Sequence, residues 1–237
     1  MVSPDDDSEG PPGERRRLED EVVTLAQALR AGEGPDAELR RRTETVVGRL
    51  QDLLVERTDD HGAIDTRSGS TITPLEPEPE RIDLADVAHA LANLSRFTGQ
   101  GRWFYSVARH SIHVSREVEA RGGSRAARRW GLLHDASEAY LSDVPAPVKR
   151  SLPGYTRAET RLQAAVREAA GLEVTSTDER LVEAVDAEIG RYELAVHFPN
   201  GEREKPALEY VPDDIDPETD AKALFLERAR ALELDLD

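Results

Sequence analysis

The sequence predicts an all-α protein, and three observations carry that reading. Apolar residues recur at helical spacing over most of the chain, as in Val22, Leu25 and Leu29 or in Val107, Val114 and Val118. Breakers punctuate these stretches at Gly32-Glu-Gly-Pro35, Gly99-Gln-Gly101 and Gly122-Gly123. Short strands are expected in two places alone, the arm at 60–82 and the region near 195–211. No internal repeat interrupts the pattern.

Taken in order, residues 1–13 are acidic with Gly and Pro and read as disordered. Residues 14–60 read as a helical hairpin. One helix runs from about Glu14 to Ala31, and a second carries Leu39, Val46, Val47, Leu50 and Leu54. The stripe Val22/Leu25/Leu29 with Val46/Leu50/Leu54 is more apolar surface than a free hairpin tolerates. It is expected to dock on the main domain or on a second subunit. Residues 61–237 form the main domain. After the Pro74-Leu-Glu-Pro-Glu-Pro-Glu80 arm, Asp83 is placed to cap a helix through Ala85, Val87, Leu91 and Leu94. Further helices are expected near Phe104 to Ala120, through Trp130 up to Pro145 and Pro147, and at 155–170, 178–195 and 216–234. An Asn200-Gly201 turn precedes the last.

Composition narrows the function classes. The 237 residues carry 31 basic and 48 acidic side chains, a formal net charge of −17, which disfavours duplex nucleic acid as a partner. The chain has no cysteine, so thiolate metal sites and disulfides are excluded, and a cytoplasmic location is the expectation. No apolar run approaches the roughly 20 residues of a membrane span. Lysine is scarce (Lys149, Lys205, Lys222), a usage that suits either a high-salt cytoplasm or a GC-rich genome.

The stretch Trp130-Gly-Leu-Leu-His-Asp-Ala-Ser-Glu-Ala-Tyr-Leu-Ser-Asp-Val-Pro145 concentrates the chemistry. On a regular helix His134 and Asp135 lie about 100° apart and can reach one ion from neighbouring directions. Glu138 follows on the same side as both. The apolar neighbours Trp130, Leu132, Leu133 and Leu141 bury this helix, and a buried carboxylate needs a cation, a metal or several donors. His110 shares the inward row of Val107 and Val114, with His113 as a rival toward the edge of that face. Asp186 lies beside Val182 and Ile189. Taken singly, each is an ordinary packed or surface residue. Taken together, two imidazoles and two carboxylates make an N/O set suited to a divalent Co, Mn, Zn, Fe or Ni ion.

The order His110, His134-Asp135, Asp186 resembles the H…HD…D signature of HD-domain metal-dependent phosphohydrolases. Phe104-Tyr-Ser-Val-Ala-Arg-His-Ser111 and Leu132-Leu-His-Asp-Ala-Ser-Glu-Ala-Tyr140 resemble helices of the 5′-deoxynucleotidase-like branch, which includes phage and prophage members. So do Asp83-Leu-Ala-Asp-Val-Ala-His-Ala-Leu91, Ser95-Arg-Phe97 and the continuation from Ser142 to Lys149. The likeness covers roughly residues 65–196.

The resemblance implies an HD-domain helical bundle with one divalent ion on His110, His134, Asp135 and Asp186, the last favoured over Asp178. It implies Glu138 and Asp143 as catalytic carboxylates. Arg96 would face the phosphate, joined by Lys149 or Arg102, and Phe97 would stand where some relatives contact substrate with tryptophan. His89 would be a donor behind the site or a packing residue. The implied activity is removal of phosphate from deoxynucleoside 5′-monophosphates. The alternatives are a dNTP triphosphohydrolase releasing tripolyphosphate and a non-catalytic metal-binding module with a regulatory role. Members of this branch are often dimers, which points to a homodimer.

Overall fold

Helix-forming segments dominate the chain because their apolar stripes have one another to pack against. The computed structural model describes residues 12–31, 37–55, 62–198, 203–210, 212 and 220–234. The disorder expected for 1–13 and the Asn200-Gly201 turn lie outside these residues, except that Pro12 and Gly13 open the first helix. By its contacts the chain divides into two units, residues 1–60 with 152–157, and residues 61–151 with 158–237.

The first unit contains α1 (Pro12–Arg30) and α2 (Ala37–Val55), which pack against each other through Leu18, Leu25, Leu39 and Val46. Val22, Val23 and Leu50 stay exposed on this pair.

The second unit opens with β1 (Ile64–Asp65) and β2 (Thr71–Ile72), an antiparallel pair in the expected arm with Ile64 opposite Ile72. Asp83 caps α3 (Leu84–Asn93), its carboxylate accepting from Asp86 N at 2.8 Å. α4 (Val107–Ala120) begins later than the sequence suggested. Phe104 is exposed and outside the helix, and Ser106 is the residue that caps it. α5 (Arg125–Leu133), α6 (Glu138–Leu141), α7 (Ala146–Lys149), α8 (Pro153–Ala169, of which residues 158–169 belong to this unit), α9 (Ser176–His197) and α10 (Ala221–Ala231) follow.

α4 lies at the centre, packed on α5, α9, α3 and α10. One core joins Val87, Leu91, Ile112, Leu132, Leu162 and Phe225, and a second joins Val114, Val118, Trp130, Val185 and Ile189. Full burial of one such side chain contributes roughly 1.5–3 kcal/mol. A helix cap contributes typically ~1 kcal/mol. Packing therefore decides the arrangement and the caps trim its ends.

Two further expectations are corrected. The stretch from Trp130 to Leu141 is two helices, not one, and its junction falls on the residues of the site. The region near 195–211 has no strand among its described residues. α9 runs through to His197, and the backbone N–H groups of Glu209 and Tyr210 donate to the buried Glu117 carboxylate at 3.1 and 2.7 Å. Those donors bond a side chain, so they are not available to a strand partner.

Candidate metal centre

The site forms where α4, the α5–α6 junction and α9 converge. Gly131 permits the approach of α5 to α4, because a Cβ there would meet Ser115 Cα at 3.2 Å. The result is a pair of imidazoles, His110 on α4 and His134 at the end of α5, with ring centroids 5.3 Å apart. His110 is fully buried.

Each ring is oriented from behind. His110 Nδ1 lies 2.9 Å from Glu193 Oε1 on α9, and His134 Nδ1 lies 3.0 Å from the Gly131 carbonyl oxygen. Those acceptors place a hydrogen on Nδ1 and leave Nε2 of each ring turned inward. His110 Nε2 is 2.9 Å from Asp186 Oδ1 and 3.7 Å from Asp135 Oδ2. His134 Nε2 is 3.3 Å from Asp135 Oδ2 and 3.7 Å from Asp186 Oδ1. His110, His134 and Asp135 offer ligand atoms that all lie within 4.8 Å of one another, close enough to hold one metal ion.

The fit of an ion rests on orphaned atoms. Nε2 of both histidines is buried and makes no hydrogen bond. A neutral ring would aim a lone pair at carboxylate oxygens, which repel it. A cation between them satisfies both. The same field acts on protons: burial and Arg96 oppose charging His110, yet Glu193 and Asp186 raise it to about 10. Burial likewise opposes charging His134, and Asp135 and Asp186 raise it. Burial would lift Asp186, but the two histidines draw it well below its ordinary value. Asp186 is the open side of the cluster, its side chain 43% exposed.

The junction between α5 and α6 sets the directions of His134, Asp135 and Glu138. The bonds Ala136 N to Leu133 O and Glu138 N to Asp135 O, both 3.0 Å, span three residues, not four. His134 and Ser137 have ψ of −28°, as in a 3₁₀ turn. At about 120° per residue, Glu138 stacks over Asp135 and turns away from His134, a departure from the regular-helix expectation. Burial first, then the charges of Asp135 and Asp143, push the Glu138 carboxyl up to about 9 against the pull of Lys149 and Arg96. Glu138 is 3% exposed, and its Oε2 makes no hydrogen bond.

The remaining expected residues divide. Burial lifts Asp143 above its ordinary value, with Asp135 adding to the effect and Arg96 and Lys149 opposing it. Ser142, which turns the chain toward Asp143, has φ 72° and ψ 157°, a backbone region that costs a non-glycine residue of order 1–3 kcal/mol. Lys149 Nζ is 3.6 Å from Glu138 Oε1 and also pairs with Glu159. Arg96 Nε lies 3.1 Å from Glu193 Oε2, and a terminal nitrogen lies 3.7 Å from Asp135. Burial opposes the Arg96 charge, but Glu193, Asp135, Asp143 and Asp186 raise its pKa further.

Phe97 adjoins the centre through Arg96, whose guanidinium is 5.5 Å from its ring. The ring otherwise packs against His197 and Phe198. Arg102 lies over Trp103, outside the cluster. Asp178 serves the capping box of α9 with Thr175. His113 is buried, not at an edge, with its ring stacked near Tyr105 and Tyr210.

Sequence reasoning missed the role of Glu193. It accepts from Tyr105 Oη at 2.8 Å as well as facing His110, and burial is outweighed by His110 and Arg96, so it stays ionised down to about 2. Its position seven residues beyond Asp186, on the same helix face, is what favours Asp186 over Asp178 in the resemblance, but that spacing gave Glu193 itself no role.

No protein-family model matches the chain. Over 156 residues the chain is 36% identical to the uncharacterized protein RCAP_rcc00048 of Rhodobacter capsulatus, an alignment covering 62% of this chain and 79% of that protein. The chain belongs to that protein's family. It is also 40% identical over 109 residues to the uncharacterized protein YfdR of Escherichia coli, covering 46% of this chain and 58% of YfdR. No helix among the described residues is long and apolar enough to cross a membrane.

Proposed function

We propose that the chain is a metal-dependent phosphohydrolase that removes phosphate from deoxynucleoside 5′-monophosphates. The observation that carries the proposal is the pair of inward, unbonded Nε2 atoms of His110 and His134 among carboxylates, with the buried carboxyl of Glu138 pushed up to about 9 by burial and by the charges of Asp135 and Asp143. The mono-phosphate, deoxynucleoside preference comes from the resemblance to HD-domain phosphohydrolases.

His110, His134, Asp135 and Asp186 would hold a divalent ion. When bound, such an ion supplies Lewis acidity toward a phosphoryl oxygen and acidifies water near it. The chain's own residues account for the protons. Glu138, protonated at neutral pH, donates to the departing 5′ oxygen as the P–O5′ bond breaks. Asp143 accepts a proton from the water whose oxygen forms the new bond to phosphorus, so that nucleoside and inorganic phosphate leave in balance. Arg96 and Lys149 offset the negative charge of the carboxylates and allow a phosphate dianion to approach. Glu193 and Tyr105 fix His110 in the tautomer that presents Nε2.

The test is release of inorganic phosphate or tripolyphosphate from a panel of dNMPs, NMPs and dNTPs with Mn, Co, Zn, Fe and Ni ions. Inorganic phosphate from dNMPs is the expected result. Tripolyphosphate from a dNTP would reassign the enzyme to triphosphate hydrolysis. Metal binding without release from any substrate would leave a non-catalytic module.

A further inference from the structure

The break between α5 and α6 coincides with an insertion from another helix. In an uninterrupted α-helix the N–H of Ser137 donates to the carbonyl of Leu133. Here the Ser137 N–H donates to Gln163 Oε1 at 3.0 Å, and Gln163 Nε2 donates to the Leu133 carbonyl. The carboxamide of Gln163, on α8, thus stands in series where one helical bond would close. Two hydrogen bonds of 3.0 and 2.5 Å with an amide between them still span more than a single bond of about 3 Å. The turn they bridge is stretched into the three-residue bonds described above. A 3₁₀ turn rises about 2.0 Å per residue against 1.5 Å for an α-helix, which supplies that room. The stretched residues are His134, Asp135, Ala136 and Ser137.

We propose that Gln163 is a positioning residue for the metal centre. Its carboxamide holds the His134–Asp135 turn open and so aims both side chains at His110 and Asp186. The inference rests on the reading of that cluster as a metal centre. Nothing local to the stretch accounts for the break. Residues 132–141 contain no glycine or proline, and Leu132, Leu133 and Ala136 all join the core. With Gln163 removed, the regular bond from Ser137 to Leu133 is free to re-form. His134 and Asp135 then rotate from about 120° to about 100° apart, and Glu138 swings back toward the His134 side.

The test compares Gln163→Leu, which keeps the bulk and cannot bridge, with Gln163→Glu, which keeps the acceptor for Ser137 and loses the donor to Leu133. Metal affinity is measured by competition with a chromophoric chelator, and the visible spectrum of the Co(II)-loaded protein reports ligand geometry. The His134 ring resonances in the metal-free protein report the turn itself. In Gln163→Leu we expect affinity to fall 10- to 100-fold, the usual effect of losing a group behind a ligand. The Co(II) spectrum should change and the His134 resonances should shift, with a smaller loss in Gln163→Glu.

Wild-type affinity, Co(II) spectrum and His134 resonances in a folded Gln163→Leu protein would overturn the proposal. If Gln163→Leu does not fold, Gln163→Glu decides by the same three readouts. Should the wild-type protein bind no divalent ion, the metal-centre reading fails on its own. The His134 resonances then still show whether Gln163 holds the turn.

Discussion

Glu193 and His110 meet at 2.9 Å in the interior, where each fixes the state of the other. The carboxylate keeps the hydrogen on Nδ1, and the ring with Arg96 keeps the carboxylate ionised. Glu193→Gln should preserve the size of the contact but remove its charge. The amide can turn its NH2 toward the ring and favour the wrong tautomer. Metal affinity should fall 10- to 100-fold with little change in helicity. Chelator competition beside far-UV circular dichroism checks this, and unchanged affinity would make Glu193 a packing residue.

The metal-free protein should lose stability as pH rises. His110 is raised from 6.5 to about 10, and Glu138 from 4.5 to about 9. Both bind protons more tightly folded than unfolded, so their contribution is complete below the unfolded values. It is lost as pH climbs through about 9 and about 10. Thermal melts in chelator should show Tm falling between pH 6.5 and 10. A divalent ion takes the place of protons on the histidines, so its apparent affinity should strengthen with pH over the same range. A Tm that rises across this window would contradict the charge distribution described for the site.

Glu138 and the ligands have separable roles. Glu138→Gln should retain the ion and nucleotide binding while turnover falls roughly 10²- to 10⁴-fold, the usual contribution of acid–base catalysis. The loss of rate with rising pH should vanish in the variant, because a Gln has no proton to lose. Single-turnover hydrolysis with parallel metal analysis checks both points. Loss of the ion would move Glu138 into the metal shell, and a wild-type rate would leave the proton chemistry to Asp143.

Gly131 sets the spacing of α4 and α5. In Gly131→Ala the new Cβ meets backbone atoms of Ser115 at 3.2 and 3.4 Å, which cannot yield by rotating a side chain. Such overpacking costs about 1–3 kcal/mol. The better helix propensity of alanine, worth ~1 kcal/mol, offsets part of that. Urea unfolding should show the net loss, and metal affinity should drop as His134 moves away from His110. An unchanged midpoint with unchanged affinity would show that the helices have slack there.

Much of this was legible in the sequence because it depends on residue type and spacing. The stripe of Val107, Val114 and Val118 places His110 inward, and adjacency places His134 beside Asp135. Asp83 reads as a cap because carboxylates accept from the N–H groups of a first turn. The break at His134 was not legible. The stretch keeps helical apolar spacing throughout, and the interruption comes from Gln163, 30 residues beyond Leu133, acting on backbone atoms. The expectation near 195–211 failed for a similar reason, since the partner of Glu209 and Tyr210 is the side chain of Glu117 on α4. Tertiary bonds to backbone leave no periodic trace.

The most direct test of the metal centre is elemental analysis of the full chain, purified without chelator, beside its His110→Ala and His134→Ala variants. The expected result is about one divalent ion per wild-type chain, and in each variant a loss of that ion with the helical fold kept. Stoichiometric metal in both variants, or none in the wild type after incubation with Mn, Co, Zn, Fe and Ni ions, would contradict it.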